Sequence, residues 1–592
     1  MVKIEVKKME NVKLSINGME MEVPSNYTVL EAAKEAGIHI PTLCYLKDLN
    51  EVGACRVCVV EVEGARTLQA SCVLPVREGM NVKTNTKRVR ESQKTTTELL
   101  LANHNRECLT CYRSKNCELQ NLSEELGIEE VSFEGAKREV VVDSASTSIV
   151  RDASKCILCG RCVSACKKTQ GLSVLDFQNR GFETTVGPAF DVSMNDAPCV
   201  YCGQCMIVCP VAALREKTDI ERVWDAIEDP EIHVVAQTAP AVRAALGEEF
   251  GMPIGTRVTG KMVAAIRRLG VSRIYDTDFG ADLTIMEEGH ELLHRIKNGG
   301  KLPMITSCSP GWIRHAEFNH PDFLDNLSTC KSPAHMFGAI TKSYYAEKNN
   351  IDPSKIFVLS FMPCTSKKSE AAREEMEVGG QRDVDAVITT RELGKMIKQA
   401  RLDFANLPDE DFDRDYLGDY TGAGVIFGAT GGVMEAALRT VADVLTGEDL
   451  SDFEYHGVRG IEGIKESTVT IGDMEINVAL AHSTGQATKL LDMVRSGEKD
   501  YHFIEIMGCS GGCVCGGGQP QQPADILNSG IDIRVERAKA LYEEDTVKAI
   551  RKSHQNPMIQ DLYKNYLGEP NSHKAHELLH THYTARDAFV KK

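Results

Sequence analysis

The sequence has no run of apolar residues long enough to cross a bilayer, and residues 1–8 lack the apolar segment of a signal peptide. It also lacks an excess of positive charge, because 68 Lys and Arg stand against 85 Asp and Glu, giving a formal net charge of −17. A nucleic-acid partner needs a basic surface that contacts phosphates, and this balance argues against one. We therefore expect a cytoplasmic protein that binds neither membranes nor nucleic acid.

The sequence equally lacks the pattern of a small, disulfide-bonded secreted domain. Its 21 cysteines are spread over 592 residues, a length that should divide into three or more domains, and most of them fall in C-x2-C sets. In a chain of this size such sets indicate metal ligation. Because exposed iron–sulfur ligands oxidise readily, we expect a reducing and anaerobic environment.

The first cysteine set follows a short hairpin and a helix. Residues 11–23 alternate around the turn dipeptide Asn17-Gly18, and Thr28 is a suitable N-cap for a helix that Gly37 ends. The set has the spacing C-x10-C-x2-C-x13-C and comprises Cys44, Cys55, Cys58 and Cys72. Hairpin, helix and cysteine loop resemble a [2Fe–2S] ferredoxin domain, although the spacing differs from the plant type. Zinc is the alternative, but structural zinc usually shows two close cysteine pairs.

Further metal-ligand sets follow this domain. An H-x3-C-x2-C-x5-C set, in which a neutral histidine would replace one thiolate, comprises His104, Cys108, Cys111 and Cys117. The spacing C-x2-C-x2-C-x3-C then occurs twice, as in bacterial two-cluster ferredoxins, where the fourth cysteine of each set ligates the other cluster. We therefore assign one [4Fe–4S] cubane to Cys156, Cys159, Cys162 and Cys209, and the other to Cys199, Cys202, Cys205 and Cys166. Such centres move single electrons.

From about residue 226 the composition changes to alternating strands and helices, for example a strand at 385–390 that runs into a helical pattern. This alternation predicts parallel sheets covered by helices, with functional residues at strand ends. Three loops in this half carry cysteines, and they span residues 306–312, 362–370 and 505–520. The last is rich in glycine, which lets the backbone pack closely against a large inorganic group.

These loops read TSCSPGW, MPCTSKKSE and EIMGCSGGCVCGGGQP. They resemble the signature of the iron-only, or [FeFe], hydrogenases, whose patterns are TSCCPxW, MPCxxKxxE and ExMxCxxGCxxGGGxP. The resemblance covers nearly the whole chain and implies an α+β multidomain protein. Its expected parts are a β-grasp [2Fe–2S] ferredoxin-like domain at 1–88, a His/Cys3 [4Fe–4S] domain at 89–145, a two-[4Fe–4S] ferredoxin-like domain at 146–225 and a large two-lobed α/β H-cluster domain at 226–592.

The resemblance also implies a cofactor, the H-cluster, in which a [4Fe–4S] cubane is joined to a two-iron subsite carrying CO, cyanide and a bridging dithiolate amine. Lys367 would donate hydrogen bonds to a cyanide, Met362 would pack beside the bridging CO, and Glu370 would hold a partner side chain. The cubane ligands carried over by position are Cys364, Cys509 and Cys513, of which Cys513 bridges to the two-iron subsite.

The first loop departs from the family pattern at one position. Where the family has a second cysteine as a cubane ligand, this chain has Ser309, while Cys308 keeps the position of the proton-relaying cysteine. A serine alkoxide can bind iron, but its hydroxyl is far less acidic than a thiol. Three arrangements remain open: Ser309 ligates, Cys308 moves across to ligate, or one iron is bound differently. We favour Ser309, and Cys515 is close enough in sequence to be a substitute ligand.

The remaining family residues form a proton path. A thiol such as Cys308 can pass protons to the bridging amine, and a buried carboxylate of raised pKa can continue the path. The family's path matches this chain at Glu288, Glu291, Arg295 and Ser328. The first three are three and four positions apart, and so share one face of a helix. From the residues alone, a solvated charge pair is the alternative, and the resemblance favours the path.

The resemblance thus implies an [FeFe]-hydrogenase catalysing H2 ⇌ 2H⁺ + 2e⁻, with electrons passing through one [2Fe–2S] and three [4Fe–4S] clusters. Ferredoxin, or partner subunits that bind flavin and NAD(P), would exchange these electrons, and maturation proteins would insert the two-iron subsite. The alternative is a non-catalytic or H2-sensing relative, which Ser309 keeps open. The pattern HExxH at residues 576–580 is short enough to recur by chance, so we do not infer a zinc protease.

Overall fold

In the computed structural model, which describes residues 10–138, 140–451, 453–472 and 474–588, the chain begins with a five-stranded mixed sheet. Its first hairpin turns at Asn17 and Gly18, both with positive φ, as the predicted turn requires. Thr28 and Glu31 form a reciprocal capping box that starts the predicted helix. The elements are β1 (Asn11–Ile16), β2 (Met19–Pro24), α1 (Val29–Glu35), β3 (Val59–Val62), β4 (Gln69–Ala70) and β5 (Met80–Lys83), in the sheet order β2-β1-β5-β3-β4.

The next two cysteine sets lie in small segments with little regular structure. A long helix leads into the His/Cys3 set, and a three-stranded antiparallel sheet, β10-β7-β6, accompanies the two-cluster set. The elements are α2 (Lys87–Asn103), α3 (Glu118–Glu125), β6 (Val142–Asp143), β7 (Ile149–Asp152), α4 (Arg161–Ser164), β8 (Asp176–Gln178), β9 (Thr185–Gly187), α5 (Gln204–Ile207) and β10 (Leu214–Glu216). The expected domain boundary at 88/89 falls inside α2.

The C-terminal half contains two four-stranded sheets. One, β12-β11-β14-β17, is parallel throughout, as the alternating pattern predicts. The other, β13-β20-β19-β18, is parallel except for β18, which pairs antiparallel with β19. The expectation of parallel sheets was wrong for this strand, because a short turn at Gly472 joins it to its neighbour and such a hairpin can pair only antiparallel.

The strands of these sheets are β11 (His233–Thr238), β12 (Arg273–Asp276), β13 (Met304–Ile305), β14 (Ile356–Met362), β17 (Ala386–Thr389), β18 (Ile464–Ile471), β19 (Met474–His482) and β20 (Phe503–Met507), with a separate hairpin of β15 (Glu377–Val378) and β16 (Gln381–Arg382). The helices are α6 (Ile220–Glu228), α7 (Pro240–Arg243), α8 (Thr259–Arg268), α9 (Asp278–Asn298), α10 (Pro310–Asn319), α11 (Pro333–Ile340), α12 (Ala346–Asn349), α13 (Ser366–Ala371), α14 (Thr390–Gln399), α15 (Gly422–Val425), α16 (Gly432–Thr446), α17 (Thr484–Arg495), α18 (Ala524–Leu527), α19 (Ile533–Val547), α20 (Pro557–Leu562) and α21 (His573–Leu579). The expected boundary at 225/226 falls inside α6.

The three cysteine-bearing loops leave the carboxyl ends of strands in both sheets. The 306–312 loop follows β13, the 362–370 loop follows β14, and the 505–520 loop follows β20. Loops at the carboxyl ends of parallel strands are where α/β folds place their sites. Among the described residues, no helix is both long and apolar enough to cross a lipid bilayer.

Candidate active site

The three loops line a common cavity. Its polar lining includes Cys308, Ser309, Cys364, Lys367 and Cys513, and its apolar lining includes Met362, Phe427 and Met507. The structure therefore brings together residues that are separated by up to 205 positions, namely Cys308 and Cys513. Cys509 is buried on the same loop as Cys513.

The thiols around this cavity are crowded and removed from water. Burial and the neighbouring Cys364 raise the pKa of Cys513 to about 12. Burial, Cys364 and nearby thiols likewise raise the pKa of Cys509 well above its ordinary value. Thiolates could persist in such a place only beside compensating positive charge, which is what an iron–sulfur cluster supplies. The donor set thus fits the implied cubane.

Close backbone packing shapes the loop that carries Cys509 and Cys513. Gly512 has φ of +92°, and a Cβ on it would lie 2.7 Å from the amide nitrogen of Thr430. Only glycine fits at such a position. The glycine-rich segment at 422–432 therefore packs against the active-site loop and is part of its wall.

Ser309 lies in the cavity lining, beside the Cys509 loop. Its hydroxyl oxygen accepts a hydrogen bond from the backbone amide of Gly508 at 3.0 Å. Cys515 does not line this cavity. Burial raises the pKa of its thiol, and the nearby Arg537 and Arg534 oppose that rise only in part. Of Ser309 and Cys515, Ser309 lines the cavity and Cys515 does not.

Lys367 is tied into a buried polar network. Its ammonium group donates to Ser332 Oγ and Glu370 Oε2, each at 2.7 Å, and to the carbonyl oxygen of Cys308 at 3.4 Å. The partner that the resemblance gives Glu370 is therefore Lys367 itself. On its other side Glu370 faces His335 Nε2 at 3.7 Å. The sequence analysis missed Ser332 and His335, because neither belongs to a recognised motif.

The expected proton-path residues lie on and beside α9. Ser328 Oγ donates to Glu291 Oε2 at 2.9 Å, and Arg295 forms an ion pair with Glu291 Oε1 at 2.6 Å. Burial and the adjacent Glu291 raise the pKa of Glu288 to about 8. Burial, Glu288 and Cys513 raise the pKa of Cys308 well above its ordinary value. The Glu291–Arg295 pair of the alternative interpretation is only partly buried, with side chains 13% and 12% exposed, whereas Glu288 is buried.

The two-cluster cysteines assemble in the crossed arrangement that their spacing predicts. One cavity is lined by Cys156, Cys159, Cys162 and Cys209, which combines three cysteines of one run with the fourth of the other. Burial raises the pKa of Cys205 well above its ordinary value, and the neighbouring Cys202, Cys199 and Cys166 raise it further. The four cysteines of the second cubane set therefore also lie close together.

Of the two N-terminal sets, the first comes together, and the second has its histidine buried. Cys58 and Cys72 have their sulfur atoms 3.3 Å apart, and the amide of Cys55 points to the sulfur of Cys44 at 3.5 Å. His104 is buried, and its Nδ1 has no hydrogen-bond partner among the described residues. Burial and Lys155 lower its pKa to about 4, which leaves the imidazole neutral and able to ligate a metal.

One ferredoxin-like loop packs directly on the active-site loops. Thr365 donates to the carbonyl oxygen of Tyr201 at 2.7 Å, and Gln204 donates to the carbonyl oxygen of Cys515 at 2.9 Å. Glycine permits this approach, since a Cβ on Gly517 would lie 2.6 Å from the Cα of Gly203. The Cys199–Cys205 segment is thus the immediate neighbour of Cys364.

Family models match this chain along most of its length. Residues 232–517 match the iron-only hydrogenase large subunit, C-terminal domain, and residues 531–586 match the iron hydrogenase small subunit. Residues 9–87 match a 2Fe-2S iron-sulfur cluster binding domain, residues 93–132 an NADH-ubiquinone oxidoreductase-G iron-sulfur binding region, and residues 155–213 a 4Fe-4S dicluster domain.

Full-length relatives agree with these matches. The chain is 49% identical to the NADP-reducing hydrogenase subunit HndD of Solidesulfovibrio fructosivorans over 98% of this chain and 100% of that protein. The chain belongs to the [FeFe]-hydrogenase family. Iron hydrogenase 1 of Clostridium pasteurianum is 45% identical over 96% of this chain and 99% of that one. The structure of the HydA1 [FeFe]-hydrogenase from Chlamydomonas reinhardtii, 41% identical, superposes with a TM-score of 0.56 over 62% of this chain and 99% of that one.

These similarities confirm the prediction of an iron hydrogenase that interconverts H2 with protons and electrons through an iron–sulfur relay. They do not favour a non-catalytic or H2-sensing relative, because proteins named as hydrogenases match nearly the whole chain. The 2Fe-2S and 4Fe-4S domain matches support iron–sulfur cofactors in the front half of this [FeFe]-hydrogenase.

Proposed function

We propose that this [FeFe]-hydrogenase is the hydrogen-converting subunit of a cytoplasmic NAD(P)-linked complex, working at an H-cluster held by Cys364, Cys509, Cys513 and Ser309. The observation that carries the site assignment is the single cavity lined by Cys364, Cys513, Ser309 and Lys367 at the meeting point of three loops. When bound, the H-cluster supplies the iron centre at which the H–H bond forms or breaks. Every other requirement falls to the chain: to hold the cluster, move protons and deliver electrons.

The partner assignment rests on the similarity to an NADP-reducing hydrogenase subunit over the full length of both chains. The sequence has no GxGxxG fingerprint or lysine-containing phosphate loop, so NAD(P) and flavin would belong to partner subunits. Ferredoxin is the second candidate carrier, and maturation proteins would insert the two-iron subsite. Co-purification of a flavoprotein with the native enzyme supports the complex, whereas isolation of this chain alone with full ferredoxin-linked activity contradicts it.

The proposed electron relay has two branches that meet. Asn50 donates to the carbonyl oxygen of Cys44 at 2.7 Å and of Cys159 at 3.0 Å, linking the [2Fe–2S] set to one cubane set. Arg113 donates to the carbonyl oxygen of Cys209 at 3.1 Å, linking the His104 segment to the same set. The second cubane set then leads to Cys364. The ligands in this proposal are those assigned from the sequence.

For protons, Cys308 is the proposed catalytic thiol at the cavity. Glu288, which burial holds largely protonated at neutral pH, would return a proton to the Cys308 thiol. Ser328, Glu291 and Arg295 would continue the proton path toward the surface. Lys367 would bind a cyanide of the cofactor through one of its donors, and Met362 would pack against the cofactor. Glu370 keeps the Lys367 ammonium group oriented.

Infrared absorption in the CO and cyanide stretching region tests the cofactor, and a Cys308→Ala variant tests the relay. In anaerobically prepared, matured enzyme we expect CO and cyanide bands in both proteins. H2 turnover should fall by about 10²-fold or more in the variant, the size of a lost general acid. Absence of the bands from the active enzyme contradicts the H-cluster assignment, and undiminished turnover in the variant contradicts the role of Cys308.

A further inference from the structure

A cluster of three potential metal ligands shares Glu291 with the proton path, and its other two members have no part in the relay described above. Glu291, Cys330 and His580 each offer one ligand atom, and these atoms all lie within 4.8 Å of one another. Glu291 is on α9, Cys330 lies in the segment between α10 and α11, and His580 directly follows α21. An isolated β-bridge between Cys330 and His580 holds two of the three backbones together.

We propose that Glu291, Cys330 and His580 form a binding site for a divalent cation of borderline softness such as Zn²⁺, and that an ion bound there blocks proton transfer at Glu291. The donor set of thiolate, imidazole and carboxylate is the one that zinc prefers. The blockade rests on the proposed function, whereas binding of the ion does not.

The histidine is already oriented as metal-binding histidines usually are. His580 Nε2 lies 3.0 Å from Glu287 Oε2, and its Nδ1 lies 2.7 Å from the hydroxyl oxygen of Thr329. Because the carboxylate can only accept, Nε2 carries the proton and Nδ1 presents its lone pair. A carboxylate that fixes the far nitrogen of the imidazole is the usual outer partner of a metal-ligating histidine.

The distances suit an ion after a small adjustment. Bonds of about 2.0–2.3 Å from tetrahedral zinc to nitrogen, oxygen and sulfur place the ligand atoms about 3.3–3.8 Å apart. Cys330 Sγ lies 4.0 Å from Glu291 Oε2 in the structure. Closing the set requires separations of up to 4.8 Å to shorten by up to about 1.5 Å, and the hydroxyl group of Thr329 must turn away from Nδ1. Water can complete the coordination.

The surrounding charge favours a cation. The carboxylates of Glu291 and Glu287 lie close enough to Cys330 to act on its thiol, whereas Glu288 is largely protonated at neutral pH and adds little charge. The Arg295 guanidinium opposes them, but it is occupied by Glu291 Oε1 and by four backbone carbonyl groups. When the ion binds, the Cys330 thiol releases its proton to solvent as the sulfur–metal bond forms, with no change of oxidation state.

The site and the proton path compete for one atom. Glu291 Oε2 is the acceptor of the Ser328 hydroxyl at 2.9 Å, and it is also the carboxylate oxygen that faces Cys330. An ion bound to this oxygen displaces the Ser328 hydrogen bond and removes the carboxylate as a proton carrier. Zinc should therefore inhibit H2 turnover reversibly without touching the cofactor cavity.

The test is a ZnCl2 titration of H2 production by the matured enzyme, with each variant normalised to its own metal-free rate. We expect Cys330→Ala and the isosteric Cys330→Ser to raise the inhibitory zinc concentration by at least about tenfold, since even outer-partner changes cost 10–100-fold in metal affinity. His580→Gln should do the same. His456→Gln, which changes an exposed histidine far along the chain, should leave the zinc response unchanged. EDTA should restore the rate.

Zinc K-edge X-ray absorption, measured at one equivalent of ZnCl2, reports binding independently of turnover. We expect a sulfur scatterer at about 2.3 Å in the unmodified enzyme and its loss in Cys330→Ala. A sulfur scatterer retained in the variant overturns the site, and loss of iron at inhibitory zinc concentrations overturns reversible blockade. Sulfur-ligated zinc without inhibition overturns the competition at Glu291. Failure of the proposed function is distinct, because it abolishes metal-free H2 turnover and leaves the absorption result unaffected.

Discussion

The backbone amide of Gly508 donates a hydrogen bond to Oγ of Ser309 at 3.0 Å, and this contact fixes the serine hydroxyl beside the loop that carries Cys509. A donor aimed at an oxygen favours its anionic form, because it stabilises the charge that deprotonation creates. The position where the family has a cysteine is therefore equipped, in this hydrogenase, to support an oxygen ligand. This hydrogen bond predicts how substitutions of Ser309 should change cluster binding and H2 turnover.

Ser309→Cys should preserve the cubane and leave H2 turnover equal or higher, because a thiolate is the stronger iron ligand. Ser309→Ala should lower the iron content and the cubane signal, since it leaves no ligand atom at this position. Iron analysis, electron paramagnetic resonance and H2 turnover measure these outcomes. Ser510→Ala, which changes a serine next to Cys509 whose hydroxyl accepts from Arg534 instead, is the matched control. A large loss in Ser309→Cys would show that the site is adapted to serine.

The rate of H2 production should depend on pH through Glu288. Burial and Glu291 raise the pKa of this carboxyl from 4.5 to about 8, so it holds a proton at neutral pH and loses it as the pH rises through 8. Proton delivery should then fail above that pH. Glu288→Gln, which cannot give up a proton, should lower turnover by about 10²-fold or more at every pH. His294→Gln, an exposed change on the same helix, should leave the profile unchanged.

The raised pKa of Glu288 also makes the free energy of unfolding depend on pH. Because the folded state binds this proton more tightly than the unfolded state, its contribution is fully present below pH 4.5 and is lost as the pH rises to about 8. Thermal unfolding of Glu288→Gln should therefore show a weaker pH dependence between these values than the unmodified enzyme. An identical dependence in both proteins would contradict the raised pKa.

The sequence predicted those features that depend on local spacing. The crossed cubane sets follow from C-x2-C-x2-C-x3-C, and the common face of Glu288, Glu291 and Arg295 follows from helical periodicity. The hairpin at Asn17-Gly18 follows from turn chemistry. The helix face and the hairpin are local relationships, and the crossed cubane sets combine two copies of one motif whose pairing the spacing specifies.

Contacts between distant segments were beyond such reasoning. His580 meets Glu287 across 293 positions, and no pattern in either segment specifies that partner. The pairing of His335 with Glu370 likewise depends on how α11 packs against α13. The antiparallel β18 escaped prediction because its strand has the same alternation in either direction. Tertiary packing decides such long-range pairings and strand directions, and they cannot be predicted from the pattern of a single sequence.

The contact between Gly203 and Gly517 should be essential for passing electrons into the active site. A Cβ on Gly517 would lie 2.6 Å from the Cα of Gly203 and would press on the Cys202 carbonyl group, both of which are backbone and cannot turn aside. Gly517→Ala should therefore separate the ferredoxin-like loop from the active-site loop. Overpacking of this kind costs about 1–3 kcal/mol of unfolding free energy, and transfer between the two centres should slow because it weakens steeply with distance.

Calorimetry measures the loss of unfolding free energy. Stopped-flow reduction by H2, followed at the ferredoxin-like clusters, measures the rate of electron transfer from the active site. Gly135→Ala is the matched control, because a Cβ there meets no atom within 4 Å, and its stability should change by less than about 0.5 kcal/mol. If Gly517→Ala lowered stability but left the transfer rate unchanged, the contact would serve packing alone. A slower rate with intact clusters would establish that close backbone approach sets the electron path into the site.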